Sequence, residues 1–123
     1  MISVNLGDDL RSAGIARACV KDALAGHPDS VRDVAILLAD ELVTNALVHG
    51  EGDIGLRVDV SQGAVRVDVF DEAQGAPVIR KVTPGHTHGR GMRIVDSLAS
   101  SWGVDELPSG KNVWFRLDFA VAS

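Results

Sequence analysis

Hydrophobic and polar residues alternate in several parts of the chain, as they do in half-buried β-strands. Alternation over residues 2–6 predicts a short edge strand. Alternation over residues 54–60 and 65–69, on either side of a turn at 61–63, predicts a hairpin. Two more strands, joined by a turn at 108–110, are predicted near the C-terminus.

Apolar residues at helical spacing predict three helices. The first runs from Asp8 to Ala25 and ends at the Gly-His-Pro of residues 26–28. The second is capped by Ser30 and stopped by Gly50. Its predicted buried stripe consists of Val34, Leu37, Leu38, Leu42 and Ala46. The third runs from Met92 to Ser100.

The resulting order of elements, β-α-α-β-β-loop-α-β-β, predicts an α/β fold with helices packed on one face of a mixed, largely antiparallel sheet. A length of 123 residues fits one domain, which we expect to span residues 1–123. The regular pattern fails for about twenty residues after Phe70, and a loop of that length in a compact domain is usually a lid or a binding loop. We therefore expect function in this loop.

Composition excludes several classes of function. Apolar residues make up 46% and charged residues 24% of the chain, as in ordinary globular proteins. A net charge of -5 with no lysine or arginine run argues against direct binding of nucleic acid and favours protein partners. No apolar segment approaches the roughly 20 residues needed to cross a bilayer, and no secretion signal is evident. We expect no membrane association and a cytoplasmic location.

The second predicted helix carries polar residues suited to phosphate chemistry. Glu41 and Asn45 stand four residues apart, so they project from one face, and His49 follows one turn later. A carboxylate and a carboxamide can hold Mg²⁺, and the carboxylate can also orient a hydroxyl group for attack on a phosphoryl group. The alternative is that these residues simply line the solvent face of an amphipathic helix.

Two further features could bind a nucleotide. Asp71 ends a valine-rich strand, where its carboxylate could accept a hydrogen bond from an adenine amino group, or could simply start a turn. Gly89-Arg90-Gly91 leads into the third helix, where free amides can face phosphates, although such a segment is often only a flexible loop. His86 and His88 are too close together and lack further ligands, which disfavours zinc.

The order and spacing of these features resemble a known superfamily. Residues 41–50 resemble the N box of GHKL ATPases, which include gyrase, MutL, histidine kinases and anti-sigma kinases. Residues 89–95, 102–104 and 110–115 are similar to stand-alone actinobacterial-type members of the bacterial anti-sigma factor family, whose best-studied members are serine/threonine kinases. The resemblance covers about residues 6–119 and implies a Bergerat-type α+β sandwich.

The resemblance also implies roles for individual residues in binding ATP and Mg²⁺. Glu41 would be the general base, Asn45 the Mg²⁺ ligand, and Asp71 the acceptor for the adenine amino group. Residues of about 72–91 would form the ATP lid. The residues expected around the nucleotide are Asn45, His49, Gly50, Asp71, Gly75, Gly89, Arg90, Gly91 and Met92. Arg17 matches an arginine that family members use against sigma factors and anti-anti-sigma factors.

One departure keeps the function open. The superfamily usually shows Asp-x-Gly-x-Gly at the adenine site, whereas this chain has Ala73 in place of the first glycine. The first hypothesis is a kinase that sequesters a sigma factor and phosphorylates a STAS-type anti-anti-sigma protein. The second is a nucleotide-gated protein-binding module with little or no kinase activity, and a third is a domain that has lost nucleotide binding. Relatives commonly form homodimers.

Overall fold

The computed structural model describes residues 1–73 and 87–120, and the side chains of residues 1–73 and 92–120. Within these ranges the elements are β1 (Ile2–Gly7), α1 (Arg11–Ala23), α2 (Asp29–His49), β2 (Ile54–Ser61), β3 (Ala64–Asp71), α3 (Thr87–Leu98), β4 (Ser101–Leu107) and β5 (Gly110–Asp118).

The strands form one sheet in the order β1-β2-β3-β5-β4. All four neighbouring pairs are antiparallel, which confirms the prediction of a largely antiparallel sheet; no parallel pair occurs among the strands that the structure describes. β1 lies at an edge, as its short alternating pattern predicted. β5 inserts between β3 and β4, which brings the end of β3 beside the start of β5.

The three helices cover one face of the sheet, which confirms the predicted fold class. Along β3, Val65, Val67 and Val69 point into the core and are at most 1% exposed. Arg66 and Asp68 alternate with them on the other face and form an ion pair there. Burial of the valine side chains against the helices stabilises the fold by roughly 1.5–3 kcal/mol per side chain.

The first helix is shorter than its predicted range of residues 8–25. Asp9 ends the preceding segment in a turn, since its carboxylate accepts a hydrogen bond from the Arg11 amide at 2.9 Å and its carbonyl accepts one from Ser12. An aspartate that bonds the backbone two residues on competes with helix formation. α1 therefore begins at Arg11 rather than at Asp8.

The predicted cap of the second helix is wrong. α2 begins at Asp29, and Pro28 is the residue before it, in an extended conformation with its carbonyl accepting the first helical hydrogen bonds. Because the proline ring fixes φ and removes a donor that a helix start does not need, Pro28 can begin α2 without a side-chain cap. Ser30 consequently lies inside the first turn.

α2 is buried more widely than one stripe, because it packs against α1, α3 and the sheet. Leu38, Leu42 and Ala46 are buried as predicted, whereas Leu37 is 40% exposed. Three further positions, which were not in the predicted stripe, are fully buried: Ala35, Ala39 and Val43. Small side chains at two of these three positions allow close approach of the neighbouring elements.

α3 begins at Thr87, before the predicted start at Met92. Met92 and Val95 are buried, while Leu98 is 45% exposed. The indole nitrogen of Trp102 on β4 donates a hydrogen bond of 2.9 Å to Asp96 and ties the helix to the sheet edge. Among the residues that the structure describes, no helix is both long enough and apolar enough to cross a membrane.

Candidate functional site

The polar face of α2 carries the first group of candidate residues. Asn45 is 7% exposed and therefore buried although polar, while Glu41 and His49 are intermediate in exposure. Burial, and secondly the negative charge of Asp40, raise the pKa of the Glu41 carboxyl above its ordinary value. A carboxyl with a raised pKa in a partly enclosed position is a candidate for proton transfer.

The C-terminal end of α2 contacts the end of β3. The Gly50 amide donates the last helical hydrogen bond to the Ala46 carbonyl at 2.8 Å. A Cβ atom placed on Gly50 would lie 2.7 Å from the Asp71 Cγ and 2.9 Å from its Oδ2, too close for any real side chain. The helix end and the carboxylate of Asp71 therefore share one enclosed corner, and only glycine fits at position 50.

Asp71 faces the helix-covered side of the sheet and is 1% exposed. Its Oδ1 accepts hydrogen bonds from the Ala73 amide at 2.8 Å and from the Lys111 ammonium at 3.0 Å. Its Oδ2 lies 2.9 Å from the same ammonium, yet it accepts no hydrogen bond of good geometry within the described part of the chain. A buried carboxylate oxygen without a hydrogen bond is costly, and a ligand N–H group would satisfy it.

Lys111 was not among the predicted site residues. It stands opposite Asp71 in the β3–β5 register and is 4% exposed. The sequence contained a signal, because Lys111 occupies an inward position of the alternation that continues with Val113 and Phe115. A lysine at such a position is almost never fully buried unless it has a buried partner.

The connection from α2 to β2 is held against the end of β3. The Glu72 amide donates to the Glu51 carbonyl, and the Glu72 carboxylate accepts from the Asp53 amide at 2.9 Å. Gly52 has a φ of +69°, and a Cβ atom there would overlap the Glu72 carboxylate. These contacts fix the backbone on both sides of the corner that Gly50 and Asp71 form.

Two other predicted residues have defined surroundings. Arg17 on α1 donates a hydrogen bond of 2.7 Å to Asp40 on α2, and half of its side chain stays exposed. Met92 packs in the hydrophobic core, so only its backbone could face a ligand. The structure thus brings Gly50 and Asp71 together, with Asn45 buried slightly earlier on the same helix as Gly50, and leaves Arg17 on the outer surface.

The remaining predicted residues lie wholly or partly outside the described part of the structure. Gly75 and most of the expected lid fall within residues 74–86. Gly89, Arg90 and Gly91 lie on the backbone of α3, but their side-chain surroundings are not described. In the described ranges, no group of three or more His, Cys, Asp or Glu residues comes together. A cation held here would rely on Asn45 and on oxygen atoms of its own ligand.

Comparison with known proteins places the chain in a family. A family model described as "Histidine kinase-like ATPase domain" matches residues 7–117. No curated protein matches the chain. A solved histidine kinase domain from the Erythrobacter litoralis EL346 blue-light activated histidine kinase is similar, with 23% identity, a TM-score of 0.60 and coverage of 88% of this chain and 59% of that one.

A second similar structure contains the RsbU and RsbW domains of Rv1364c from Mycobacterium tuberculosis, with 17% identity and a TM-score of 0.68. The match includes 99% of this chain and 34% of the Mycobacterium tuberculosis chain. The chain thus spans about a third to three fifths of the solved chains it resembles. Sequence identities this low show only that the fold is shared. The family assignment rests instead on the family model, which matches nearly the whole sequence. The chain belongs to the histidine kinase-like ATPase domain family, of GHKL type.

Proposed function

We propose that the chain binds ATP with Mg²⁺ and acts as an anti-sigma regulatory protein serine/threonine kinase. The observation that carries nucleotide binding is the buried Oδ2 of Asp71, which has no hydrogen bond of good geometry and lies beside Gly50. An amino group of adenine supplies the N–H donor that this oxygen lacks. The buried carboxamide of Asn45 on the adjoining helix offers an oxygen ligand of the type that Mg²⁺ prefers.

Bound MgATP supplies the phosphoryl group and the cation that neutralises its charge. Asp71 would hold the base, and Asn45 would hold the cation. Glu41 would accept the proton of a serine or threonine hydroxyl on the protein substrate. Its raised pKa lies closer to neutrality than that of an ordinary glutamate, which makes it a better proton acceptor near physiological pH.

The proposed regulatory role rests on the sequence resemblance and on the likeness to a chain that contains an RsbW domain. The partners would be a sigma factor and a STAS-type anti-anti-sigma protein. Arg17 is half exposed on α1 and bound to Asp40, the neighbour of Glu41 in the sequence. A partner that binds Arg17 would therefore contact the protein close to Asp40, the residue next to the proposed base Glu41. His49, and also Gly75, Gly89, Arg90 and Gly91, stay proposed nucleotide contacts.

Nucleotide binding is tested by calorimetric titration of ATP with and without Mg²⁺ into the wild type and Asn45→Ala. We expect Asn45→Ala to weaken Mg²⁺-dependent binding more than Mg²⁺-free binding, because it removes an oxygen ligand of the cation. Equal losses in both conditions would remove Asn45 from the metal site. Absence of binding to the wild type would end the proposal and favour a domain that has lost its nucleotide.

Phosphoryl transfer is tested separately with radiolabelled ATP and candidate anti-anti-sigma proteins. Glu41→Gln keeps the size and the hydrogen-bonding capacity of the side chain but removes the base, so we expect transfer to fall by roughly 10²–10⁴-fold with ATP binding retained. Wild-type protein that binds ATP but transfers no phosphate to any candidate would favour the nucleotide-gated binding module instead.

A further inference from the structure

We propose that Lys111 is a specificity-determining residue of the nucleotide site, where it and Asp71 together select a 6-aminopurine over a 6-oxopurine. This inference rests on the proposed function. It concerns a residue that neither the motif spacing nor the family resemblance assigns to the site. The contacts, the packing and the donor–acceptor chemistry of the pair support it in turn.

The two side chains form a buried pair at the end of the sheet. The side chain of Lys111 is 5% exposed and that of Asp71 is 1% exposed. The ammonium lies 3.0 Å from Oδ1 and 2.9 Å from Oδ2 of the carboxylate. Burying two opposite charges costs solvation that their attraction often fails to recover, so a buried pair is weak evidence of a purely stabilising role.

The backbone around the pair depends on close approach of β5 to β3. A Cβ atom on Gly110 would overlap the Asp71 carbonyl oxygen and would lie 2.9 Å from the Glu72 Cα. Glycine at position 110 therefore lets β5 start directly against the end of β3. The register then sets Lys111 opposite Asp71 on the helix-covered face, the face that also carries the α2 corner.

The pair offers a ligand an acceptor and a donor side by side. The carboxylate only accepts hydrogen bonds and the ammonium only donates them. The Ala73 amide and Lys111 both donate to Oδ1, which leaves Oδ2 as the acceptor for a ligand. Lysine has three N–H donors, so Lys111 retains donor capacity beyond the bond to Asp71.

With Oδ2 of Asp71 opposite position 6 of the base and Lys111 opposite the ring nitrogen at position 1, this arrangement matches adenine and opposes hypoxanthine. Adenine has an amino donor at position 6 next to a ring nitrogen that accepts. A 6-oxopurine has a carbonyl acceptor at position 6 next to a ring N–H that donates. A mismatched base leaves both buried groups of the protein without a hydrogen bond to the ligand, and unmet hydrogen bonds of this kind are what let a site discriminate strongly. Lys111 thereby adds to the selectivity that Asp71 alone would give.

The experiment compares ATP with ITP, which differ in the substituent at position 6 and the ring N–H. Calorimetry gives the dissociation constants of both for the wild type, Lys111→Met, Lys111→Arg and Lys21→Met. Lys21 is an exposed lysine near the end of α1, so Lys21→Met is a matched control for the loss of one lysine charge. Thermal unfolding of each variant is measured in parallel.

We expect the wild type and Lys21→Met to bind ATP more tightly than ITP, with the same ratio of the two affinities. Lys111→Met should lose about tenfold or more in ATP affinity and less in ITP affinity, so that the ratio of the two falls. Lys111→Arg should restore much of the ratio because it keeps a cationic donor. If Lys111→Met does not fold, Lys111→Gln should show a smaller fall in the ratio, because its neutral amide is a weaker donor than the ammonium.

Two results would overturn the inference while leaving ATP binding intact. One is a wild type that binds ATP and ITP equally well. The other is an unchanged ratio in Lys111→Met or Lys111→Gln, with both affinities falling in step with the melting temperature, which would make Lys111 a structural residue. A wild type that binds neither nucleotide would instead remove the proposed function together with this inference.

Discussion

At the scale of single residues, the candidate site depends on two glycines whose lack of a side chain leaves room for neighbouring groups. Gly50 has no side chain where Asp71 needs room, and Gly110 has none where β5 meets the end of β3. Both glycines lie close to Asp71, whose Oδ1 accepts a hydrogen bond from Lys111 and whose Oδ2, 2.9 Å from the same ammonium, lacks a hydrogen bond of good geometry. The chemistry of the corner is therefore set by a few close contacts.

Gly50→Ala tests this crowding directly. The new Cβ would lie 2.5 Å from the Ala46 carbonyl oxygen and 2.7 Å from Asp71 Cγ, so helix end or strand end must shift. We expect a loss of about 1–3 kcal/mol in the free energy of unfolding, measured in urea, together with weaker ATP binding.

Gly14→Ala on α1 is the matched control for that substitution. Its Cβ would meet only the Arg17 guanidinium, at an ordinary contact distance of 3.7 Å. Replacing an exposed glycine inside a helix by alanine should stabilise the protein by roughly 0.5–1 kcal/mol. A Gly50→Ala variant as stable as Gly14→Ala would show that the corner between α2 and β3 is not tightly packed.

The pH dependence of the proposed transfer reaction tests the role of Glu41. Its pKa is raised first by burial and second by the charge of Asp40, and a base must be deprotonated to work. Activity should therefore fall as the pH drops through this raised pKa. Asp40→Asn removes one cause, so the acid side of the profile should move to lower pH.

Asp33→Asn is the control for this shift, because Asp33 is an exposed carboxylate two turns earlier on the same helix. We expect it to leave the acid side of the profile in place. If Asp40→Asn and Asp33→Asn both give the wild-type profile, the acid limb does not report a group that Asp40 influences.

At the scale of elements, the site is the meeting of the end of α2 with the end of β3. Residues 50–53 lead from α2 to β2, and Glu72, just after β3, holds their backbone through its bonds to Glu51 and Asp53. The positive φ of Gly52 turns the chain under the Glu72 carboxylate. The relative position of helix and strand is thus fixed by one glutamate as well as by core packing.

Glu72→Ala should loosen this connection. The Asp53 amide would lose its acceptor, so its hydrogen exchange should speed up by roughly threefold to tenfold, as expected for one hydrogen bond of about 1 kcal/mol. Glu72→Gln keeps an acceptor oxygen and should exchange nearly as slowly as the wild type. Equal exchange rates at Asp53 in all three proteins would mean that the Glu72 carboxylate does not hold the connection.

The sequence predicted the elements well where periodicity and turn residues agree, as in the β2–β3 hairpin. It failed at the start of α2, because Pro28 was assigned to the end of α1 although its fixed φ also suits the residue before a helix. Leu37 was placed in the core because a single stripe was assumed for α2, which packs on several sides.

Sequence spacing likewise indicated some residues of the candidate site and missed others. Asp71 was a candidate because it ends a valine-rich strand where the long loop begins, and Gly50 was a candidate because of the family resemblance; both remain predicted nucleotide contacts. Lys111 was missed, since only the strand register reveals that it stands opposite Asp71. Spacing along a chain shows which side chains share an element, but pairing between distant strands depends on the tertiary fold.

At the scale of the whole molecule, we propose that an adenine nucleotide binds at the corner formed by α2, the end of β3 and the start of β5. A titration of ¹⁵N-labelled protein with MgADP, followed by amide chemical shifts, tests this placement. We expect the largest changes at Asn45–Gly50, at Asp71–Ala73 and at Lys111, while the turn at Gln62 and Gly63, at the opposite end of β3, stays unchanged. Changes centred on that turn, or no change at saturating MgADP, would contradict it.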